Sequence, residues 1–67
     1  MSISLKQARI GIEATQYEIA EKLGVHVQTY ANWEKHPEDM SVKDAVSFSK
    51  IVGVPFDQLI FLPSDSN

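Results

Sequence analysis

The stretch of sequence from Thr15 to Glu34 reads TQYEIAEKLGVHVQTYANWE and predicts two short helices joined by a tight turn. Gly24 can adopt the left-handed backbone conformation that ends the first of these helices. Ala20 lies four residues earlier, at the point where a larger side chain would hold the two helices apart. Two helices that cross at a steep angle around a short turn form a helix-turn-helix, and this spacing predicts that motif.

Capping signals predict further helices on both sides of this pair. The predicted caps are Ser4 with Gln7, Thr15 with Glu18, and Ser41 with Asp44. The helices are expected to end near Ile12, at Gly24, at Lys35 before a loop over 36–39, at Gly53, and before Pro63. The last of them would carry Pro55 in its first turn, where proline is well tolerated. We therefore predict an all-α fold, a compact five-helix bundle containing a helix-turn-helix.

Apolar residues recur at helical spacing along these segments and predict the core. They are Leu5, Ala8 and Ile12; Ile19, Ala20 and Leu23; Tyr30 and Trp33; Val42, Ala45, Phe48, Ser49 and Val52; and Phe56, Leu59 and Ile60. With 67 residues the chain suits a single domain over 1–67, ordered over about 4–62 with a tail at 63–67.

The composition narrows the class of protein. The sequence has no cysteine, which excludes disulfides and cysteine-bound metals within it. Its apolar runs are far shorter than a membrane span and its N-terminus does not suggest secretion, so the expectation is a cytoplasmic protein that binds no membrane. The net charge of −3 is unusual for a nucleic-acid binder, because Lys and Arg supply most non-specific affinity for phosphates. The acidic net charge therefore predicts modest affinity for nucleic acid and a small contact area on it.

The predicted third helix has two different faces. Tyr30 and Trp33 point towards the core, whereas Gln28 and Asn32 lie four residues apart on the opposite side. An amide side chain presents a donor and an acceptor together and can bond to both N6 and N7 of adenine in the major groove. Val27 could pack on a thymine methyl group. We interpret this face as a base-reading surface that favours A·T pairs; the alternative is that both amides are neutral surface residues.

Four polar residues flank this surface and are candidate phosphate contacts: Gln16, Tyr17, Thr29 and Lys35. Gln16 begins the second helix, where free backbone N–H groups and the positive end of the helix dipole favour an anion. The alternatives are a solvated first turn for Gln16 and an edge of the core for Tyr17.

The sequence resembles the Cro and cI-type helix-turn-helix family of phage and bacterial regulators, also called the XRE family. The resemblance covers Leu5 to Leu62 and is strongest at LKQAR (5–9), QYEIAEKLGV (16–25), QTYANWE (28–34) and IVGVPFDQLI (51–60). These motifs fall in order at the family's spacing. The sequence looks most similar to short regulators from phages of Gram-positive bacteria.

The resemblance implies a lambda-repressor-like bundle that binds double-stranded operator DNA as a dimer, with the third helix in the major groove. Val27, Gln28 and Asn32 match positions that contact bases in this family. Gln16, Thr29 and His26 match positions that contact phosphates. Arg9 and Glu34 match a structural ion pair between the first and third helices. A planar guanidinium suits a bidentate contact with a carboxylate, so we expect Arg9 to be structural.

Three positions depart from the family pattern. The first helix of family members usually ends in glycine near the position of Glu13, and we expect a differently built turn here. His26 stands where a serine or threonine usually caps the third helix, and we expect that end to fray. The loop that follows the third helix is often basic but reads KHPED at 35–39, so it either faces away from DNA or weakens the complex.

An enzyme is not expected, because no serine or carboxylate pair stands with a histidine in a recognisable motif. His26 and His36 have no further ligands at metal-site spacing, so we expect neither a metal nor another cofactor. The prediction is a repressor that occupies an operator. The alternative is an antirepressor or antitoxin-like module that binds another regulator protein. The candidate surface for that partner, or for a weak homodimer, contains Pro55, Phe56, Phe61 and Leu62.

Overall fold

The computed structural model describes residues 2–59, and these residues form a small helical fold. Its α-helices are α1 (Leu5–Gly11), α2 (Gln16–Leu23), α3 (Val27–Lys35) and α4 (Val42–Val52). Two short 3-10 turns, Pro37–Asp39 and Phe56–Gln58, follow α3 and α4. The all-helical class is therefore confirmed for the described part of the chain.

Side-chain caps begin α1, α2 and α4 at the predicted residues. Ser4 and Thr15 each form a complete capping box, in which the cap hydroxyl accepts a backbone N–H and the third helical residue bonds back to the cap N–H. The Ser41 hydroxyl accepts the backbone N–H of Asp44 at 3.1 Å. These local bonds fix where the helices start, because each satisfies an N–H group that has no partner inside the helix.

The start of α3 corrects an expectation. The ring of His26 caps this helix, since its Nδ1 accepts the backbone N–H of Gln28 at 3.0 Å. The expected fraying at this position was wrong. An unprotonated imidazole nitrogen offers a lone pair, and the extended backbone of His26 directs it at the free N–H of the first turn.

The turn between α1 and α2 corrects a second expectation. Glu13 has a φ of +59°, so it adopts the left-handed conformation that a glycine would adopt at this position. The turn is therefore not built differently; a residue with a side chain holds the same backbone geometry. Gly24, which ends α2, has a φ of +74°, as its position predicted.

The core lies between α1, α2, α3 and α4. Its largest fully buried side chains are Tyr30, Phe48, Leu5 and Ile19, and the rings of Tyr30 and Phe48 stack with centroids 6.0 Å apart. Within residues 5–52, two predicted core residues are exposed instead. Ile12 is 41% exposed because it lies just beyond the end of α1, and Val42, the first residue of α4, is 73% exposed.

The predicted fifth α-helix is wrong within the described residues. The segment after α4 forms one 3-10 turn, and Leu59 is then extended and pairs with Ile3 in an isolated parallel bridge. The backbone N–H of Ile3 donates to the carbonyl of Gln58 at 2.8 Å. Leu59 is buried as predicted, but Phe56 is 43% exposed rather than inward. The predicted inward position of Ile60 lies outside the described residues.

Candidate nucleic-acid interface

The outer face of α3 carries the amide side chains of the candidate base-reading surface. Gln28 and Asn32 are exposed, while Tyr30 and Trp33 are buried on the opposite side of the same helix. Val27 is half-buried and packs against the core, so only part of its side chain is open to a ligand. The helix therefore has an aromatic inner side and an uncharged amide outer side.

An ion pair joins α1 to α3 at one edge of this surface. Arg9 Nε donates to Glu34 Oε2 at 2.6 Å and Arg9 Nη2 donates to Glu34 Oε1 at 3.4 Å. The two side chains are only 12% and 7% exposed. A third bond from Arg9 Nη1 reaches the carbonyl of Ala14 at 2.9 Å. All three guanidinium nitrogens of Arg9 thus donate hydrogen bonds within the protein.

Gln16 is the third member of this network. Its Nε2 donates to Glu34 Oε1 at 2.9 Å, so α2 is tied to α3 through a residue predicted only as a phosphate contact. Nothing in the local sequence signals this bond, because Gln16 and Glu34 are 18 positions apart. One amide N–H bond and the side-chain oxygen of Gln16 remain for another partner.

The network sets the ionisation of Glu34. Burial alone would raise the pKa of this carboxyl, but the hydrogen bonds from Arg9 and Gln16 outweigh it and lower the pKa from its ordinary value. Burial raises the pKa of the Tyr30 phenol, and the neighbouring Glu34 carboxylate raises it further. The Tyr30 hydroxyl nevertheless lacks a partner in good hydrogen-bond geometry within the described residues. A neutral Tyr30 thus lies beside the charged pair of Arg9 and Glu34.

The remaining candidate phosphate contacts are open to solvent. Tyr17, His26, Thr29 and Lys35 are all exposed. The exposure of Tyr17 favours an external role over the edge of the core. His26 uses Nδ1 for its cap, which leaves Nε2 as the ring nitrogen available to a ligand.

The acidic segment after α3 forms the 3-10 turn Pro37–Asp39. Glu38 and Asp39 are exposed, and Glu38 Oε2 lies 3.6 Å from Nδ1 of His36. This contact between exposed groups contributes little stability. The turn adds two carboxylates close to the end of α3.

The candidate partner surface is only partly described. Pro55 and Phe56 are exposed, whereas the predicted positions of Phe61 and Leu62 lie outside the described residues. Within residues 2–59 there is no group of three or more His, Asp or Glu side chains that could hold a metal ion. In that same part of the chain, every helix falls short of the length and hydropathy needed to cross a bilayer.

One comparison with known proteins gives a match. A family model described as helix-turn-helix matches residues 5–59, which includes all four α-helices and both 3-10 turns. No curated protein and no solved structure matches the chain significantly.

Proposed function

We propose that this chain, which belongs to the XRE-type helix-turn-helix family of DNA-binding transcription regulators, reads operator DNA with α3 in the major groove. The observation that carries the proposal is the exposed amide pair of Gln28 and Asn32 on the second helix of the motif. Amides can bond to both polar atoms of the adenine edge, so we propose a preference for A·T pairs. Val27 would contribute the exposed part of its side chain to a thymine methyl group.

Phosphate contacts would position this helix in the groove without reading sequence. We propose Gln16, Tyr17, His26, Thr29 and Lys35 for this role, because they are polar and border the amide face. The small number of basic residues implies a weak electrostatic contribution, so base contacts must supply an unusually large share of the affinity.

The base-reading assignment can be tested with operator DNA selected from a random duplex library. Replacing Gln28 or Asn32 by alanine should weaken operator binding by about 1–3 kcal/mol and relax the preference at one base pair. Lys22→Gln is a matched control, since Lys22 lies in the last turn of α2 and is exposed. If both alanine variants bound the operator as tightly as the parent, the assignment would be wrong.

We further propose a homodimer that represses a phage or prophage promoter by occupying its operator. A symmetric operator requires two copies of the reading helix at a fixed separation. The half-buried and exposed residues around Pro55 and Phe56 are the candidate contact surface. Analytical ultracentrifugation with and without operator measures the oligomeric state of the protein. A complex of one protein chain with one symmetric operator would contradict the proposed homodimer.

An antirepressor or antitoxin-like module is the alternative function. Two observations favour it: the exposed acidic turn at Glu38 and Asp39, and the exposed valines Val42 and Val46 that follow it one helical turn apart. Such a surface would suit a basic partner protein rather than DNA. A titration followed by NMR separates the two functions. DNA binding should shift the amides of Gln28 and Asn32, while a protein partner should shift those of the acidic turn and α4.

A further inference from the structure

A cleft lies beside the amide face of α3. It is lined by Lys6 of α1, Gln16 of α2, and Ala31, Glu34 and Lys35 of α3, and its volume is about 360 Å³. One water molecule occupies about 30 Å³ of the liquid, so the cleft has room for a phosphate group together with bound water. Three helices contribute to its wall.

The charges in this cleft favour an anion. Glu34 contributes the one carboxylate among the lining residues, and Arg9 pairs with it at 2.6 Å. Lys6 and Lys35 are exposed and have no ion-pair partner within residues 2–59. Two ammonium groups therefore remain uncompensated on a chain whose net charge is −3. This local excess of positive charge is opposite in sign to the protein as a whole.

The donors in the cleft also suit a phosphate. Each lysine ammonium offers three donors, and the Gln16 amide keeps one N–H bond that Glu34 does not use. Glu34 cannot turn towards the bound anion freely, because both of its oxygens accept hydrogen bonds from Arg9. The ion pair thus keeps the one repelling group of the cleft neutralised and fixed.

The cleft is continuous with the proposed base-reading face. Ala31 lies three residues after Gln28, and Lys35 lies three residues after Asn32, so all four share one side of α3. A duplex that contacts the two amides would therefore lie on the same side of α3 as the mouth of the cleft. We propose that the cleft binds a backbone phosphate of that duplex and that Lys6 is a phosphate contact. This inference rests on the proposed function.

Substitution of Lys6 tests the proposal and does not require the operator, because a backbone contact acts on any duplex. Lys6→Gln should weaken binding about five- to tenfold, equally for operator and unrelated duplex, and reduce the slope of log K against log salt by about 0.9. Lys43→Gln removes the same charge from the exposed side of α4 and should change binding less than about twofold. Equal behaviour of the two variants would overturn the proposal. Circular dichroism checks that both variants keep the parent's helicity.

An NMR titration of the unmodified protein provides a second, independent measurement. Duplex DNA should shift the amides of Lys6, Ala31 and Lys35 together with those of Gln28 and Asn32. Duplex binding that shifts the two amide residues but leaves Lys6 and Ala31 unmoved would overturn the cleft and leave the proposed function standing.

The same NMR titration is repeated with inorganic phosphate in place of duplex DNA. If no duplex binds but inorganic phosphate shifts the cleft residues, the proposed function fails and the cleft is a site for a free anion, so the backbone assignment is overturned. If neither ligand produces a shift, both proposals are overturned. The two failures are therefore distinguishable.

Discussion

The turn between α1 and α2 and the turn between α2 and α3 solve the same backbone problem with different residues. Each contains one residue in the left-handed conformation, with a φ of +59° at Glu13 and +74° at Gly24. For a residue with a side chain this conformation costs about 1–2 kcal/mol, while glycine adopts it without that penalty. The first turn therefore holds strain that the second avoids.

The two turns also differ in what supports them. In the second turn, backbone bonds from Val25 to Ala20 (3.0 Å) and from Gly24 to Glu21 (3.1 Å) close the loop. The first turn has comparable backbone bonds and in addition the Arg9 guanidinium, which donates to the carbonyl of Ala14. We infer that tertiary support replaces glycine at Glu13. A strained turn is tolerated where a buried side chain holds it.

The largest effect is expected from removing that support. Arg9→Ala strands a buried Glu34 carboxylate and frees the Ala14 carbonyl, so the free energy of unfolding should fall by about 3 kcal/mol. Chemical denaturation measures it, with Lys22→Ala as the control for loss of an exposed cation. A variant as stable as the parent that lost only DNA affinity would show that Arg9 acts on DNA rather than on the fold.

The second largest effect is expected at the glycine turn. A Cβ added to Gly24 meets no atom within 4 Å, so Gly24→Ala tests backbone strain alone and should destabilise the protein by about 1–2 kcal/mol. Gly11→Ala is the matched control. Its Cβ also meets nothing, and Gly11 is helical, so that variant should be neutral or stabilised by about 0.5 kcal/mol. Equal stabilities for Gly24→Ala and Gly11→Ala would show that the left-handed conformation at Gly24 does not require glycine.

A smaller effect of opposite sign is expected at the other turn. Glu13→Gly relieves the left-handed strain, but it also raises the conformational entropy of the unfolded chain, which offsets part of the gain. The protein should therefore become about 0.5–1 kcal/mol more stable. Glu13→Ala keeps the strain and removes only the exposed carboxylate, and its stability should match the parent's. Thermal unfolding of the three proteins gives the comparison; destabilisation by glycine would mean that Glu13 is not strained.

The smallest effect on the free energy of unfolding is expected from lowering the pH. Because the pKa of Glu34 is lower in the folded protein than its ordinary 4.5, the folded state binds this proton less readily than the unfolded state. The resulting stability is present above pH 4.5 and is lost as the pH falls through the lowered pKa. Denaturation midpoints between pH 7 and pH 3 should fall more steeply for the parent than for Arg9→Ala. Parallel curves would show that the pair does not cause the shift.

Local patterns predicted most of the helix boundaries. The caps at Ser4, Thr15 and Ser41 and the glycine stop at Gly24 are short-range features, in which the interacting groups lie within four residues of one another. The prediction failed beyond Val52, because apolar spacing alone could not distinguish a fifth helix from a 3-10 turn followed by an extended residue. The bridge between Ile3 and Leu59 decides that segment, and it joins the two ends of the described chain.

The candidate site likewise has one part that the sequence predicted and one part that it did not. Helical periodicity was sufficient to place Gln28 and Asn32 opposite Tyr30 and Trp33, because residues on one helix have fixed angular positions. The bond between Gln16 and Glu34 and the cleft beside Lys6 were not predicted, since they depend on how three helices pack.

The sequence by itself determined the order of the four α-helices and the two-sided character of α3, because each is encoded by residues close together in the chain, and the order of its motifs indicated the family. Tertiary structure alone decided that Glu13 takes the place of a glycine, that Gln16 donates to Glu34, and that within residues 2–59 two lysines have no ion-pair partner beside a neutralised Glu34. The physical reason is that strain, hydrogen bonding and charge depend on which atoms meet after folding.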